Sequence, residues 1–308
     1  MVFGHRFDFQ NEPVLQKEFL SFPSDPSQYS ENPTIRVIAS SKASLLDKFP
    51  LKTDWVDMSG QKARYYSIHT YEETDGEFPW ALEVKDVVTL IWDASDQKII
   101  YSQGEHYTPE RLRFWVYHTF FPLVLELERK YRILHVGAVE IKGKPVLFSA
   151  FSFGGKSTLT DYFIQKGHTM LSDDSMAIDK RGDTYYAIAS YPFHRPYRKV
   201  ETLGYRVKNF ATEPKPLHVV YVLKKCEPDA TVEINELKGI EKFKAFHYST
   251  FIDFTFMKKE RFNFFTQMAK HVPVYQVKVP WDMARLDKVY EKIVSYNEVT
   301  ENSTFKEI

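Results

Sequence analysis

Residues 150–158 read Ala150-Phe-Ser-Phe-Gly-Gly-Lys-Ser-Thr158. The apolar run Pro145-Val-Leu-Phe-Ser149 precedes them and is of buried-strand type. Ser157-Thr-Leu-Thr-Asp-Tyr-Phe-Ile-Gln-Lys166 follows and reads as a helix ended by Gly167. Strand, glycine loop, Lys-Ser and helix in that order describe a phosphate-binding loop with Ala150 in place of its first glycine. In such a loop the backbone N–H groups and the helix N-terminus point at phosphate oxygens. Phe153, Gly154, Gly155, Lys156, Ser157 and Thr158 are the candidate nucleotide-binding residues. Lys156 supplies a point charge for the β- and γ-phosphates, and Ser157 can offer its hydroxyl to Mg²⁺. The alternative is a Gly-rich turn that only lets a helix pack close to a strand. The bulk of Phe151 and Phe153 favours that alternative.

Around this segment, from Tyr131 onward, β and α patterns alternate. Strands are expected at 133–141, 145–150, 168–172, 175–179, 184–190, 218–224 and 273–279, and helices near 156–166, 236–247, 258–270 and 284–296. The last helix has Leu286, Val289, Tyr290, Ile293 and Val294 on one face and Asp282 placed to cap it. Thr108-Pro-Glu110 opens another helix, in which Pro122 should cause a break or kink. Residues 34–103 alternate short β-type runs with turn signals, whereas residues 1–35 look like loop or a loosely packed arm. The expected domains are a β-rich 1–107, a linking helical segment 108–130 and a catalytic-type domain 131–308.

The chain has 308 residues, 43% hydrophobic and 27% charged, enough to bury a core. Lys plus Arg and Asp plus Glu number 41 each, so no excess charge argues for a nucleic-acid or membrane partner. Cys226 is the only cysteine, which excludes a disulfide framework and suits a reducing compartment. With no secretory pattern at the start and no run of about 18 apolar residues, the expected location is cytoplasmic.

Phosphoryl transfer needs phosphate cradling, a metal ion and a group that orients or deprotonates the acceptor. His168-Thr-Met-Leu-Ser172 reads as the next strand and ends in Asp173-Asp174. One carboxylate can reach Mg²⁺ and the other can face the acceptor; the same pair also starts turns well. His135, ahead of the loop, can sit near the γ-phosphate or serve as a hydrogen-bonded core histidine. Arg195 and Arg198 lie in a basic, Pro-broken stretch that can hold the acceptor or clamp transferred phosphate, or be a solvated surface loop. The remaining histidines lack ligand spacing for structural zinc.

Leu134-His-Val-Gly-Ala-Val139, the loop, and Gln165-Lys-Gly-His-Thr-Met-Leu-Ser-Asp-Asp174 together resemble the catalytic domain of HPr kinase/phosphorylase and, more closely, the wider group of related kinases that includes lasso-peptide precursor kinases. The resemblance is specific over about 131–200, weaker to about 296, and absent over 1–105. It implies an α/β fold: a P-loop kinase domain with a mixed sheet and flanking helices, here behind a small β-rich domain. It implies a Mg²⁺- and ATP-dependent kinase of a serine hydroxyl on a peptide or small protein, such as a natural-product precursor. Carried over, Gly155 to Thr158 bind nucleotide phosphates and Mg²⁺, Asp173 is the base, Asp174 a metal contact with Ser157, and His135 the histidine near the active site. Relatives of this domain form hexamers, so a homo-oligomer is admitted. Two alternatives stand beside this reading: a nucleotide-gated binding protein with little turnover, and a kinase of a small metabolite such as free serine. The family loop reads Gly-x-Ser-Gly-x-Gly-Lys-Ser; here Ala150 and Phe153 replace its first two glycines. If the second glycine needs a positive φ, Phe there costs on the order of 1 kcal/mol, and Gly154 is expected to take the strained angle instead.

Overall fold

The computed structural model describes residues 1–304 except 26, 28–30, 42–45, 69–78, 152–153 and 197–198, and of 299–304 the backbone alone. The chain divides into two compact units, Met1–Ile133 with Tyr197–Tyr205, and Leu134–Pro196 with Arg206–Ile308.

Among the described residues the first unit is an eight-stranded sheet with helices. Its strands are β1 (Arg6–Phe9), β2 (Thr34–Ala39), β3 (Leu51–Lys52), β4 (Val56–Met58), β5 (Gln61–Ser67), β6 (Trp80–Val84), β7 (Val88–Asp93) and β8 (Lys98–Gln103). The order is β1-β2-β8-β7-β6-β5-β3, with β4 on β5. β1, β2 and β8 run parallel, and β7 and β8 form an antiparallel hairpin. The N-terminal stretch is not a loose arm. It forms β1 and the helix α1 (Pro13–Leu20), and Phe7, Phe9, Leu15 and Phe19 are buried. Phe7 packs edge-on against Tyr117 and Phe121, contacts that a local polarity reading does not contain.

The segment expected to link two domains belongs to this first unit. α2 (Pro109–Phe114) is capped by Thr108, whose side chain accepts from Arg111 N–H. Six residues of π-helix, Trp115–Phe120, and α3 (Phe121–Leu127) continue it. All residues from Phe114 to Leu127 are buried, because the segment is apolar on every face and must be covered on every face. Pro122 neither breaks nor sharply ends the helix. Phe121 N–H bonds five residues back to Val116 O, and the wider turn accommodates a ring that has no N–H to give. Glu201 brings a later piece of chain into this unit: its buried carboxylate accepts from Trp115 Nε1 at 2.6 Å and Gln61 Nε2 at 2.9 Å and pairs with Arg111 at 2.7 Å.

The second unit is a mixed α/β layer structure. β9 (Arg132–Leu134) and β16 (Tyr205–Arg206) lie where the chain passes between the units. The other strands are β10 (Gly137–Ile141), β11 (Lys144–Ser149), β12 (Met170–Ser172), β13 (Met176–Arg181), β14 (Thr184–Ile188), β15 (Phe193–His194), β17 (Lys215–Pro216), β18 (Val219–Cys226), β19 (Ile234–Glu236) and β20 (Val274–Pro280). Among the described residues the main sheet has the order β12-β10-β11-β18-β20-β19. β11, β18 and β20 run parallel; β10 is antiparallel to both β11 and β12. The expected strand 133–141 is interrupted at 135–136, where His135 N–H bonds to Ser249 O instead of a strand.

Alternation along β11 and β18 sends side chains to two cores. Val146, Phe148, Val219 and Tyr221 meet the helices α4 (Lys156–Gln165) and α7 (Leu286–Thr304) through Leu159, Phe163, Val289 and Ile293. Leu147 and Val220 face α5 (Ile240–Tyr248) and α6 (Lys258–His271) through Phe246, Phe265 and Met268. Strands covered on both faces explain the continuous apolar run before the loop. Asp282 caps a 3₁₀ turn, Met283–Arg285, that leads into α7.

Candidate functional site at the carboxyl edge of the second sheet

Strand direction brings the chemistry together. β11 ends at Ser149, and β12, parallel to it by way of β10, ends at Ser172 on the same edge. β10 starts at that edge between them, with Gly137 opposite Phe148 and Ala138 opposite Ser172. The loop after Ser149, the carboxylates after Ser172 and His135 before Gly137 therefore converge without contributing to the sheet. Carboxyl ends of parallel strands are where open α/β sheets bind ligands.

The loop is built by two glycines with different duties. Gly155 has φ +89° and caps α4. The left-handed angle is thus at Gly155, not at Gly154 as expected. Gly154 is required for closeness: a Cβ there would lie 2.5 Å from Ala150 Cβ and 2.7 Å from Phe151 O. Gly154 N–H closes the turn on Phe151 O at 2.9 Å. Phe153 lies outside the described residues, as does Arg198. Lys156 opens α4 and is buried at 3% exposure, with Nζ donating to Ala150 O at 3.0 Å. The ammonium is folded back onto the loop, and Gly155 at the N-cap has no side chain to satisfy the first-turn N–H groups of α4. Ser157 is half-buried and Thr158 exposed at the same helix start.

The two carboxylates have different surroundings. Asp173 is 4% exposed, accepts Arg195 N–H at 2.8 Å and stands 3.0 Å from His194 Nδ1. Asp174 has a side chain 14% exposed, with Oδ1 3.3 Å from His135 Nδ1. Both charges bear on the buried phenol of Tyr191. Burial first, then Asp174, pushes its pKa well above the tyrosine range, so it remains protonated. The structure thus brings Asp173, Asp174 and His135 together. Arg195 contributes its main-chain N–H to Asp173, while its side chain is half-buried.

Sequence reasoning missed His194. It is fully buried between Asp173 and Asp161 of α4, 3.2 Å from the latter, and so ties the helix that starts with Lys156 to the carboxylate after β12. No spacing announces it, because its partners lie 21 and 33 residues away (194 − 173 and 194 − 161). Ser249 was missed for the same reason. Its hydroxyl is 2.6 Å from that of Ser149 and its carbonyl takes His135 N–H, which fixes the end of α5 at this edge. Among the described residues no group of three or more His, Cys, Asp or Glu could hold a metal. Mg²⁺ in phosphoryl transfer rarely uses such a cage; one or two carboxylates, a hydroxyl and the substrate phosphates suffice, and Asp174 and Ser157 are donors of that kind. No helix among the described residues is long and apolar enough to cross a membrane.

No protein-family model matches the chain, and no curated protein matches it by sequence. Among solved structures it is similar to the HPr(Ser) kinase/phosphatase of Coxiella burnetii, over 57% of this chain and 95% of that chain, with 12% identity and a TM-score of 0.33. A likeness at that level assigns neither family nor activity.

Proposed function

We propose that the second unit is a P-loop phosphotransferase that moves the γ-phosphoryl group of Mg²⁺-ATP to a hydroxyl, a serine of a peptide or small protein. One observation carries this reading: a strand-loop-helix with a buried lysine at the helix start shares a sheet edge with an accessible His135–Asp174 pair. The likeness of residues 131–200 to HPr-kinase-type sequences supplies the acceptor class.

In this reading Lys156 and the N–H groups at the start of α4 hold the β- and γ-phosphates and offset the charge that spreads over the transferring group. Ser157 and Asp174 would hold Mg²⁺, which when bound would supply positive charge to offset that of the phosphates. His135, beside Asp174, orients the acceptor hydroxyl. The family resemblance implies that Asp173 is the base. Burial argues for a different division: Asp173 is 4% exposed, its Oδ2 accepts Arg195 N–H and its Oδ1 stands 3.0 Å from buried His194, so Asp173 acts by positioning the Arg195 backbone and His194.

The test is transfer from labelled ATP to a panel of serine-containing peptides and free serine. The wild type is compared with Lys156→Ala, His135→Ala and Asp174→Asn. Label on a peptide, lost in all three variants, is the expected outcome. Label that survives Lys156→Ala sinks the assignment. Tight ATP binding without transfer to any acceptor favours a nucleotide-gated binding protein, and transfer to free serine alone a metabolite kinase.

A further inference from the structure

The same sheet edge carries an open cavity of about 160 Å³ on the far side of the loop, walled by Gly154, Gly155, Leu223, Pro280, Trp281 and Met283. Trp281 follows β20 directly, and its main-chain N–H is held by Cys226 O at 3.2 Å. It is 49% exposed, and Met283 is 70% exposed. Large apolar side chains left open in a concave wall mark a ligand surface more than a solvent surface. The indole edge is turned to the loop: a Cβ on Gly155 would lie 3.4 Å from Trp281 Cζ3. Lys225 holds its ammonium over the ring, 3.6 Å from the centroid, without forming part of the cavity wall. Asp282 borders the cavity and offers a carboxylate at its rim.

We propose that this cavity takes the planar base of a nucleoside triphosphate, stacked on Trp281, while the loop at its edge holds the phosphates. The proposal rests on the phosphate-loop reading above. Gly154, Gly155 and Thr158 belong to both sites, so a ligand seated on the loop has its next bonded groups at the cavity mouth. A largely apolar wall with two polar side chains, Thr158 and Asp282, suits a heteroaromatic ring bearing an amino group. A base-free donor such as pyrophosphate or tripolyphosphate would leave the Trp281 wall uncovered.

Calorimetry on the full chain, with Mg²⁺-ATP and with Mg²⁺-tripolyphosphate, decides it. Wild type should bind ATP at least about tenfold more tightly than tripolyphosphate, since stacking of a base on one aromatic is worth about that much. Trp281→Ala should lose about tenfold for ATP and nothing for tripolyphosphate, and Trp281→Phe should retain most of the ATP affinity. Equal wild-type affinity for the two ligands, or ATP binding unchanged in Trp281→Ala, overturns the base site and leaves the phosphate loop standing. Binding of neither ligand by a folded wild type overturns the phosphate loop, and the base site falls with it. The wild-type comparison holds even where a variant does not fold.

Discussion

Replacing Gly137 by Ala probes how α4, and with it Lys156, is seated on the sheet. A Cβ at 137 would stand 2.1 Å from Thr160 Oγ1, 3.4 Å from Thr160 Cβ and 3.7 Å from Lys156 O. The first distance is more than about 1 Å short of ordinary van der Waals contact. Thr160 is fully buried and β-branched, so its rotamer choices are few, and moving the helix moves Lys156. Overpacking of this kind costs up to about 3 kcal/mol, and Gly137→Ala should approach that limit. Thr160 Oγ1 finds no hydrogen-bond partner among the described residues, so Thr160→Ala should cost only about 1 kcal/mol. In the double variant the closest contact becomes carbon to carbon at 3.4 Å, which is tight but bearable. The pair should then show a coupling of about 2 kcal/mol, with the double variant more stable than Gly137→Ala alone. Urea unfolding at constant slope gives all four corners of the cycle. Additivity to within about 0.5 kcal/mol would refute the steric account of Gly137.

Two further predictions concern buried histidines. His194→Ala removes the group between two carboxylates and leaves Asp173 buried with a partner fewer; urea unfolding should register a loss of about 3 kcal/mol. Asp161→Asn, at the 23%-exposed end of the same chain of contacts, should cost less than about 1 kcal/mol, and equal losses would contradict Asp173 as the anchored end. His5 is buried with Nδ1 2.8 Å from Phe3 O. Burial, the largest cause, and the charge of Lys130 lower its pKa from 6.5 to about 4 against the lift of that hydrogen bond. Between those values the unfolded chain binds the extra proton, so this contribution is complete above pH 6.5 and is lost as pH falls towards 4. It amounts to at most about 3 kcal/mol. His5→Gln should flatten the stability profile across that window, and an unchanged slope would show that His5 is not the group responsible.

What could be read in the chain was whatever leaves a local signature. The run Pro145–Ser149, the helix that starts at Lys156, the Thr108-Pro109 start and the face of Leu286, Val289 and Ile293 all reappear as the elements they indicate. What could not be read depends on distant partners. Phe7 and Phe9 look like residues of a polar arm until Tyr117 and Phe121 cover them. Pro122 looks like a break until a π turn upstream removes the need for its N–H. Glu201 shows no sign that it serves Trp115, 86 residues earlier.

The sequence by itself determined the loop, the helix after it and the order in which His135, Lys156 and the Asp173–Asp174 pair occur, because strand period, glycine chemistry and capping act within a few residues. Only the tertiary structure decided which glycine bears the left-handed angle, which aspartate is buried, and that His194 joins α4 to Asp173. It also decided that Trp281 borders the loop. The physical reason is common to all four. Burial, charge pairing and close approach are set by neighbours in space, and parallel strands bring to one edge residues that the chain keeps more than a hundred positions apart, as it does Gly155 and Trp281.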